Sequence, residues 1–215
     1  MSEIYLELLN INKKIDSFSL DHISYQFKQA HLYYLQGKNG SGKTTLFNII
    51  AGFIFPDSGK VLFWGKTIKG NENFIKNKFA FIPNYVALPS HVTPKFLSNL
   101  YNSMYCSFNS NRFIEHLYKL KINDKNQPIG SMSDGMKKKV LIALELSYDP
   151  DILIADEICN SLDESAILYL FEQLENLRVQ NKSLVIITSH DKRELMKYDP
   201  IIIDLKNGRI AGEFV

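Results

Sequence analysis

The sequence predicts an α/β fold: a largely parallel, buried sheet with a helical part inserted into it. Three observations carry that expectation. DILIA and LVIIT are short, wholly apolar runs, the pattern of strands covered on both faces, and the amphipathic stretch ESAILYLFEQLENLRVQ separates them. HLYYLQ runs into a glycine-rich turn and then into KTTLFNIIAG, so a strand, a loop and a helix follow one another directly. Residues 93–148 carry helical spacing with no strand signal between.

In chain order, IYLELLNI and the run from Phe18 to Phe27 read as strands by alternation, and HLYYLQ as a strand by apolar density. From Gly42, Leu46, Ile49 and Ile50 fall at helical spacing, with Gly52 as the stop. PDSGKVLFWGKTI suggests a turn, a short strand, a second turn and a second strand, and FAFI another strand. PKFLSNLYNSMY, NRFIEHLYKL and DGMKKKVLIALELSY are the three helical pieces, and RELMKY is a short helix. PIIIDL and RIAGEF, on either side of Lys206-Asn207-Gly208, form a terminal hairpin. No internal repeat or low-complexity segment interrupts this order.

A chain of 215 residues suits one domain, or one core with a small subdomain. Its 25 Lys and Arg against 23 Asp and Glu leave a net charge of +2, which offers no broad attraction for nucleic acid. Phosphates would therefore be bound locally. The first residues show no signal-peptide pattern, and no apolar run approaches the roughly 20 residues that span a bilayer, so any membrane span would belong to another chain. Cys106 and Cys159 are far apart and lack metal-ligand spacing; buried thiols in a reducing compartment are expected.

GKNGSGKT, from Gly37 through Lys38, Asn39, Gly40, Ser41, Gly42 and Lys43 to Thr44, fits G-x-x-x-x-G-K-[ST] between a strand and a helix. Glycines let the backbone curl until successive N–H groups point at phosphate oxygens, and the helix N-terminus adds positive potential. Lys43 then reaches the β- and γ-phosphates, and the Thr44 hydroxyl ligates Mg²⁺. The loop by itself says only that a nucleotide binds, since small kinases and GTPases share it. DILIADE ends a buried strand on Asp156 and Glu157. Asp156 is placed to hold Mg²⁺ through water and Glu157 to orient and polarise an attacking water. LVIITSH puts His190 at the end of another strand, facing the same crevice. Read alone, SMSDGMKKKV is a polar turn followed by the first turn of a solvated basic helix.

Taken together, the phosphate loop, SMSDGMKKKV, DILIADE, NSLD and TSH occur in the order, and near the spacings, of the ATP-binding-cassette ATPases, and the chain resembles a nucleotide-binding subunit of an ABC transporter. Met132-Ser133-Asp134-Gly135-Met136 aligns with the family's signature, Ser161-Leu162-Asp163 with its D-loop and His190 with its switch histidine. The resemblance covers nearly the whole chain. It implies a P-loop NTPase with a RecA-like mixed sheet, a small antiparallel β subdomain and an inserted helical subdomain, with the core at about 1–84 and 150–215 and the helical part at about 85–149. It further implies Mg²⁺-dependent ATP hydrolysis in a head-to-tail homodimer or heterodimer, where Ser133 and Gly135 of one chain close on ATP held by Gly37–Thr45 of the other, near Asp163. A separate membrane permease, contacted from the cytoplasmic face at the aromatic segment Tyr85, Phe96, Tyr101 and Tyr105, would be the partner; no nucleic acid is expected.

Some positions depart from the family pattern. Asp134 and Met136 replace a glycine and a glutamine of the signature. Asn84 stands where a glutamine is expected, so the amide has a shorter reach toward Mg²⁺ and the lytic water. Lys14 and Ile15 fall where an aromatic residue stacks on adenine; Phe18 is the available substitute. The rival readings are a soluble ATPase of the same family working on nucleic acid or ribosomes, and a small P-loop kinase. The first is disfavoured by the absence of coiled-coil insertions and of a second cassette, the second by the presence of Ser133, the D-loop and His190.

Overall fold

The computed structural model describes residues 3–190 and 192–214. Strands β1 (Ile4–Ile15) and β2 (Phe18–Lys28) pair as an antiparallel hairpin, followed by β3 (Leu32–Gln36), helix α1 (Lys43–Ile50), β4 (Ser58–Phe63), α2 (Glu72–Lys76) and β5 (Phe79–Ile82). Then come helices α3 (Pro94–Met104), α4 (Ser110–Lys119) and α5 (Asp134–Glu145). The chain closes with β6 (Ile152–Ala155), α6 (Glu164–Gln180), β7 (Leu184–Ile187), β8 (Ile201–Lys206) and β9 (Arg209–Phe214).

Every residue of β6 and β7 is buried, as expected of strands covered on both faces. The large sheet has the order β5-β6-β7-β3-β8-β9, parallel except for the antiparallel β9 at its edge. Side chains alternate across it. Tyr33, Leu35, Ile152, Ile154, Leu184 and Ile186 face α1 and the small sheet β2-β1-β4, whereas Tyr34, Leu153, Ala155, Val185 and Ile187 face the helical side. Two apolar cores thus clamp one sheet.

The helices begin where local chemistry starts them. Thr93, Asn109, Ser133 and Asp163 accept backbone N–H groups at the starts of α3, α4, α5 and α6. α1 has no such cap: it starts from Gly42, in the left-handed region at φ 105°, and its first N–H groups have no side-chain acceptor.

Two expectations need correction, and one short helix was not expected. The second strand read in GKTI is absent: after the Trp64-Gly65 turn a single bridge joins Phe63 to Lys66, and Ile68 packs into the core instead of extending a sheet. The small sheet is instead built by β1 and β2 with β4. Helix α2, five residues long, is too short for periodicity to reveal. Cys106 is exposed, because Tyr105 and Phe108 on either side take the inward positions of that turn, while Cys159 is buried as expected.

Candidate functional site

Parallel pairing brings the C-terminal ends of β3, β6 and β7 to one edge of the sheet, where Tyr34, Ile187 and Ala155 stand in register. The chain therefore delivers the phosphate loop, the Asp156-Glu157 pair and the Thr188-Ser189-His190 segment to one crevice. Within the loop Gly40 and Gly42 have φ of 79° and 105°, conformations a side chain would strain. Lys43 folds back over the loop and donates to the Gly37 carbonyl at 2.8 Å. Ser41 is buried, and its Oγ has no hydrogen-bond partner among the described residues.

The acids are held by hydroxyls from the first turn of α1 and from the end of β7. Asp156 is 1% exposed; its Oδ2 accepts from the Thr44 hydroxyl and its Oδ1 from the Thr188 hydroxyl, each at 2.7 Å. The Thr188 oxygen also accepts the Glu157 N–H at 2.7 Å. Glu157 adopts a left-handed backbone, φ 47°, and its buried Oε2 has no hydrogen-bond partner among the described residues. Its Oε1 lies 3.4 Å from Nε2 of His190.

Two adjoining cavities, of about 630 and 600 Å³, meet at this point and share Asn39, Gly40, Lys43, Glu157 and His190. The first extends past Lys38 and Ser41 toward β8; the second takes in Thr44, Thr45 and Asn84, with Ile15, Asp16, Ser17 and Phe18 at its far side. The Phe18 ring lies where a Cβ on Gly42 would fall, so it packs on the loop, and its other surroundings are aliphatic or polar. The amide oxygen of Asn84 accepts from Asn160 at 3.2 Å.

Ser133, Gly135 and Asp163 line neither cavity. Ser133 is exposed and its Oγ accepts the Met136 N–H at 3.2 Å, while Asp134 turns toward Lys137 in an ion pair of 3.0 Å. Gly135 lies against the Ser161 carbonyl so closely that a Cβ would collide with it. Asp163 caps α6 and pairs with Lys139; hydrogen bonds from Lys139, then from Ser165 and the Ala166 N–H, hold its carboxyl below the usual carboxylate range.

A third cavity, of about 620 Å³, opens between the sheet edge and helices α3 and α5. Phe53, Phe81, Tyr85, Tyr101, Tyr105 and Leu141 are in its wall; Phe96 is not. On its floor the Glu145 carboxylate accepts the hydroxyls of Tyr101 and Tyr148, at 2.8 and 2.6 Å, and burial raises its pKa to about 7.

Sequence reasoning missed two side chains at the acids. Thr188 stands in LVIITSH, and a hydroxyl two residues before a strand-end histidine is a usable signal. Lys138 belongs to a turn that reads as solvated only when SMSDGMKKKV is taken alone, and it is 2% exposed; nothing distinguishes it from Lys137 and Lys139 in the sequence.

The family model described as ABC transporter matches residues 20–160. The chain is 30% identical, over 95% of its length and 94% of the relative's, to the uncharacterized ABC transporter ATP-binding protein YybJ of Bacillus subtilis (strain 168). It is 28% identical, over 97% of both chains, to the lipoprotein-releasing system ATP-binding protein LolD of Buchnera aphidicola subsp. Schizaphis graminum (strain Sg). Among solved structures, an ATP-binding subunit of an ABC transporter superposes with a TM-score of 0.90 at 22% identity, covering 98% of this chain and 90% of that one. The dimeric, post-hydrolysis cassette MJ0796 bound to ADP and Pi gives 0.84 at 22% identity over 97% of both. At such identities the likeness concerns the fold.

Proposed function

The chain belongs to the ABC transporter family of ATP-binding proteins, and we propose from that premise that two cassettes close head to tail around two ATP molecules and drive transport through a separate membrane permease. ATP is bound and hydrolysed; the geometry supports the finer assignment of residues. The uncapped start of α1, the curled backbone from Gly37 to Thr45 and Lys43 form the phosphate cradle. The partnerless buried Ser41 Oγ and Glu157 Oε2 are polar atoms that fit a bound Mg²⁺–nucleotide and its water.

The paired Thr44 and Asp156 oxygens are hard donors that suit Mg²⁺, which keeps several waters and takes its other ligands from phosphate. Bound there, Mg²⁺ would neutralise charge on the phosphate oxygens. Glu157 orients and polarises the attacking water, whose oxygen bonds to the γ-phosphorus as the bond to the β–γ bridging oxygen breaks. His190, beside Glu157, contacts the γ-phosphate, and Asn84 completes the wall on the Thr44 side.

One observation carries the dimer: the exposed start of α5, with the Ser133 hydroxyl and the Gly135 N–H, lies outside the cavities around its own phosphate loop. A site that needs both therefore takes the second from another chain, with Asp163 at the junction. Core segments at about 1–84 and 150–215 and a helical part at about 85–149 would move as the two units of the cycle. The third cavity, with Phe53 and Tyr85 at 72% and 78% exposure on its rim, supports contact with the permease, whose cytoplasmic face would be the side met; no described helix is long and apolar enough to cross a membrane.

The test mixes two inactive variants. Ser133→Arg blocks the partner's γ-phosphate and Lys43→Ala weakens its own chain's cradle, so each homodimer has two broken sites. A mixed dimer regains one complete site and should recover part of the ATPase rate. An inert mixture in which mass analysis shows mixed dimers, with a tethered dimer holding one wild-type site shown to turn over, would rule out the trans arrangement.

A further inference from the structure

Three consecutive lysines on α5 have three different fates. Lys137 pairs with Asp134 at the surface, and Lys139, itself buried, pairs with the half-exposed Asp163. Lys138 is 2% exposed, and its ammonium donates to the main-chain carbonyl of Glu157 at 2.6 Å. A buried ammonium is costly to retain, and here it is spent on the backbone of the residue that polarises the water.

That backbone needs holding. Glu157 sits at φ 47°, a conformation that an L-residue other than glycine adopts only when its surroundings impose it. Its N–H is fixed by Thr188 from the sheet, at 2.7 Å. Its carbonyl is fixed by the Asn160 N–H of the same loop, at 3.1 Å, and by Lys138 from α5. The same helix touches this loop twice more, where Gly135 packs on the Ser161 carbonyl and where Lys139 pairs with Asp163. Helix α5 thus grips the segment from Glu157 to Asp163 at three points, of which Lys138 is the one that reaches the general base.

We propose that Lys138 is a positioning residue for ATP hydrolysis: by binding the Glu157 carbonyl it aims the Glu157 carboxylate at the attacking water and ties that aim to the placement of α5. This rests on the reading of Glu157 as the group that polarises the water. Because the N-terminus of α5 is the part that meets the second ATP, Lys138 makes the base of one site responsive to the nucleotide of the other.

A double-mutant cycle in the full-length protein tests this. Lys138→Met, similar in length but without the donor, should lower kcat about 10- to 100-fold, the scale of a small misplacement of a catalytic group. The KM for ATP should stay within about twofold, since the phosphate cradle is untouched. In the Glu157→Gln background, where the base is already gone, the same change should cost less than about twofold. Lys138→Arg, which keeps a charged donor, should recover part of the rate. Rates are divided by the folded fraction from circular dichroism, and if Lys138→Met does not fold the cycle is run with Lys138→Leu, which also lacks a donor. A wild-type kcat in the donor-less variant, or an equal fold loss in both backgrounds, overturns the proposal and leaves Lys138 a structural staple. A Glu157→Gln protein that hydrolyses ATP at the wild-type rate overturns instead the assignment of Glu157, and the proposal with it.

Discussion

Replacing Thr188 by valine removes the one hydroxyl that serves both acids of the site. That hydroxyl donates to Asp156 Oδ1 and accepts the Glu157 N–H, both at 2.7 Å, in a place where Thr188 and Asp156 are 0% and 1% exposed and Glu157 is buried. Valine has almost the same shape, so no cavity opens and the cost is chemical. A buried carboxylate oxygen and a buried amide each lose a partner, at about 1–3 kcal/mol per orphaned group, with the charged acceptor toward the upper end. Thr188→Val should therefore destabilise the nucleotide-free protein by about 3–5 kcal/mol, equivalent to roughly 6–20 °C in Tm for a chain of this size. Thr188→Ser keeps the hydroxyl and loses a methyl group, at about 1 kcal/mol. Urea unfolding of the three proteins at pH 7.5 separates the two terms. A Thr188→Val loss below about 1 kcal/mol, or one equal to that of Thr188→Ser, would refute the argument that this hydroxyl bridges the acids.

Lys43→Ala should weaken ATP binding through loss of the main cationic phosphate contact, and calorimetric titration showing unchanged affinity would count against the cradle. Asn84→Gln should speed hydrolysis, because the longer amide reaches further into the cavity it shares with Thr44 and Glu157; a variant no faster than the parent removes the reach argument. Glu145 supplies a pH test. Burial raises its folded pKa from 4.5 to about 7, so between these values the folded protein holds a proton that the unfolded chain has released, and stability falls as pH rises through that window. Glu145→Gln should flatten that part of the stability profile, measured by urea unfolding between pH 4.5 and 7.5, and an unchanged slope would show that the buried carboxyl does not titrate there.

The features legible in the sequence are those whose physics is local. GKNGSGKT specifies its own shape, since glycines that tolerate positive φ, a strand before them and a helix after them all lie within a few residues. DILIA and LVIIT announce their burial by composition, and ESAILYLFEQLENLRVQ matches α6, whose bounds are Glu164–Gln180. Ser133 and Asp163 also act locally, each a short polar side chain directly before the helix that it caps. What the sequence leaves open depends on which neighbour a side chain meets from a distant part of the chain. From Lys138 to Glu145 every residue of α5 is buried, so helical periodicity carries no signal that could separate Lys138 from the lysines on either side. Thr188 joins Asp156 to Glu157 only because β6 and β7 pair in parallel register, 32 residues apart in sequence between Thr188 and Asp156. The second expected strand after β4 fails because Ile68 finds a core to enter, and Cys106 faces outward because two larger aromatics hold the interior. Local backbone preference and apolar pattern are written in consecutive residues; the pairing of a buried lysine with one carbonyl is decided by packing, when the sheet and α5 come together.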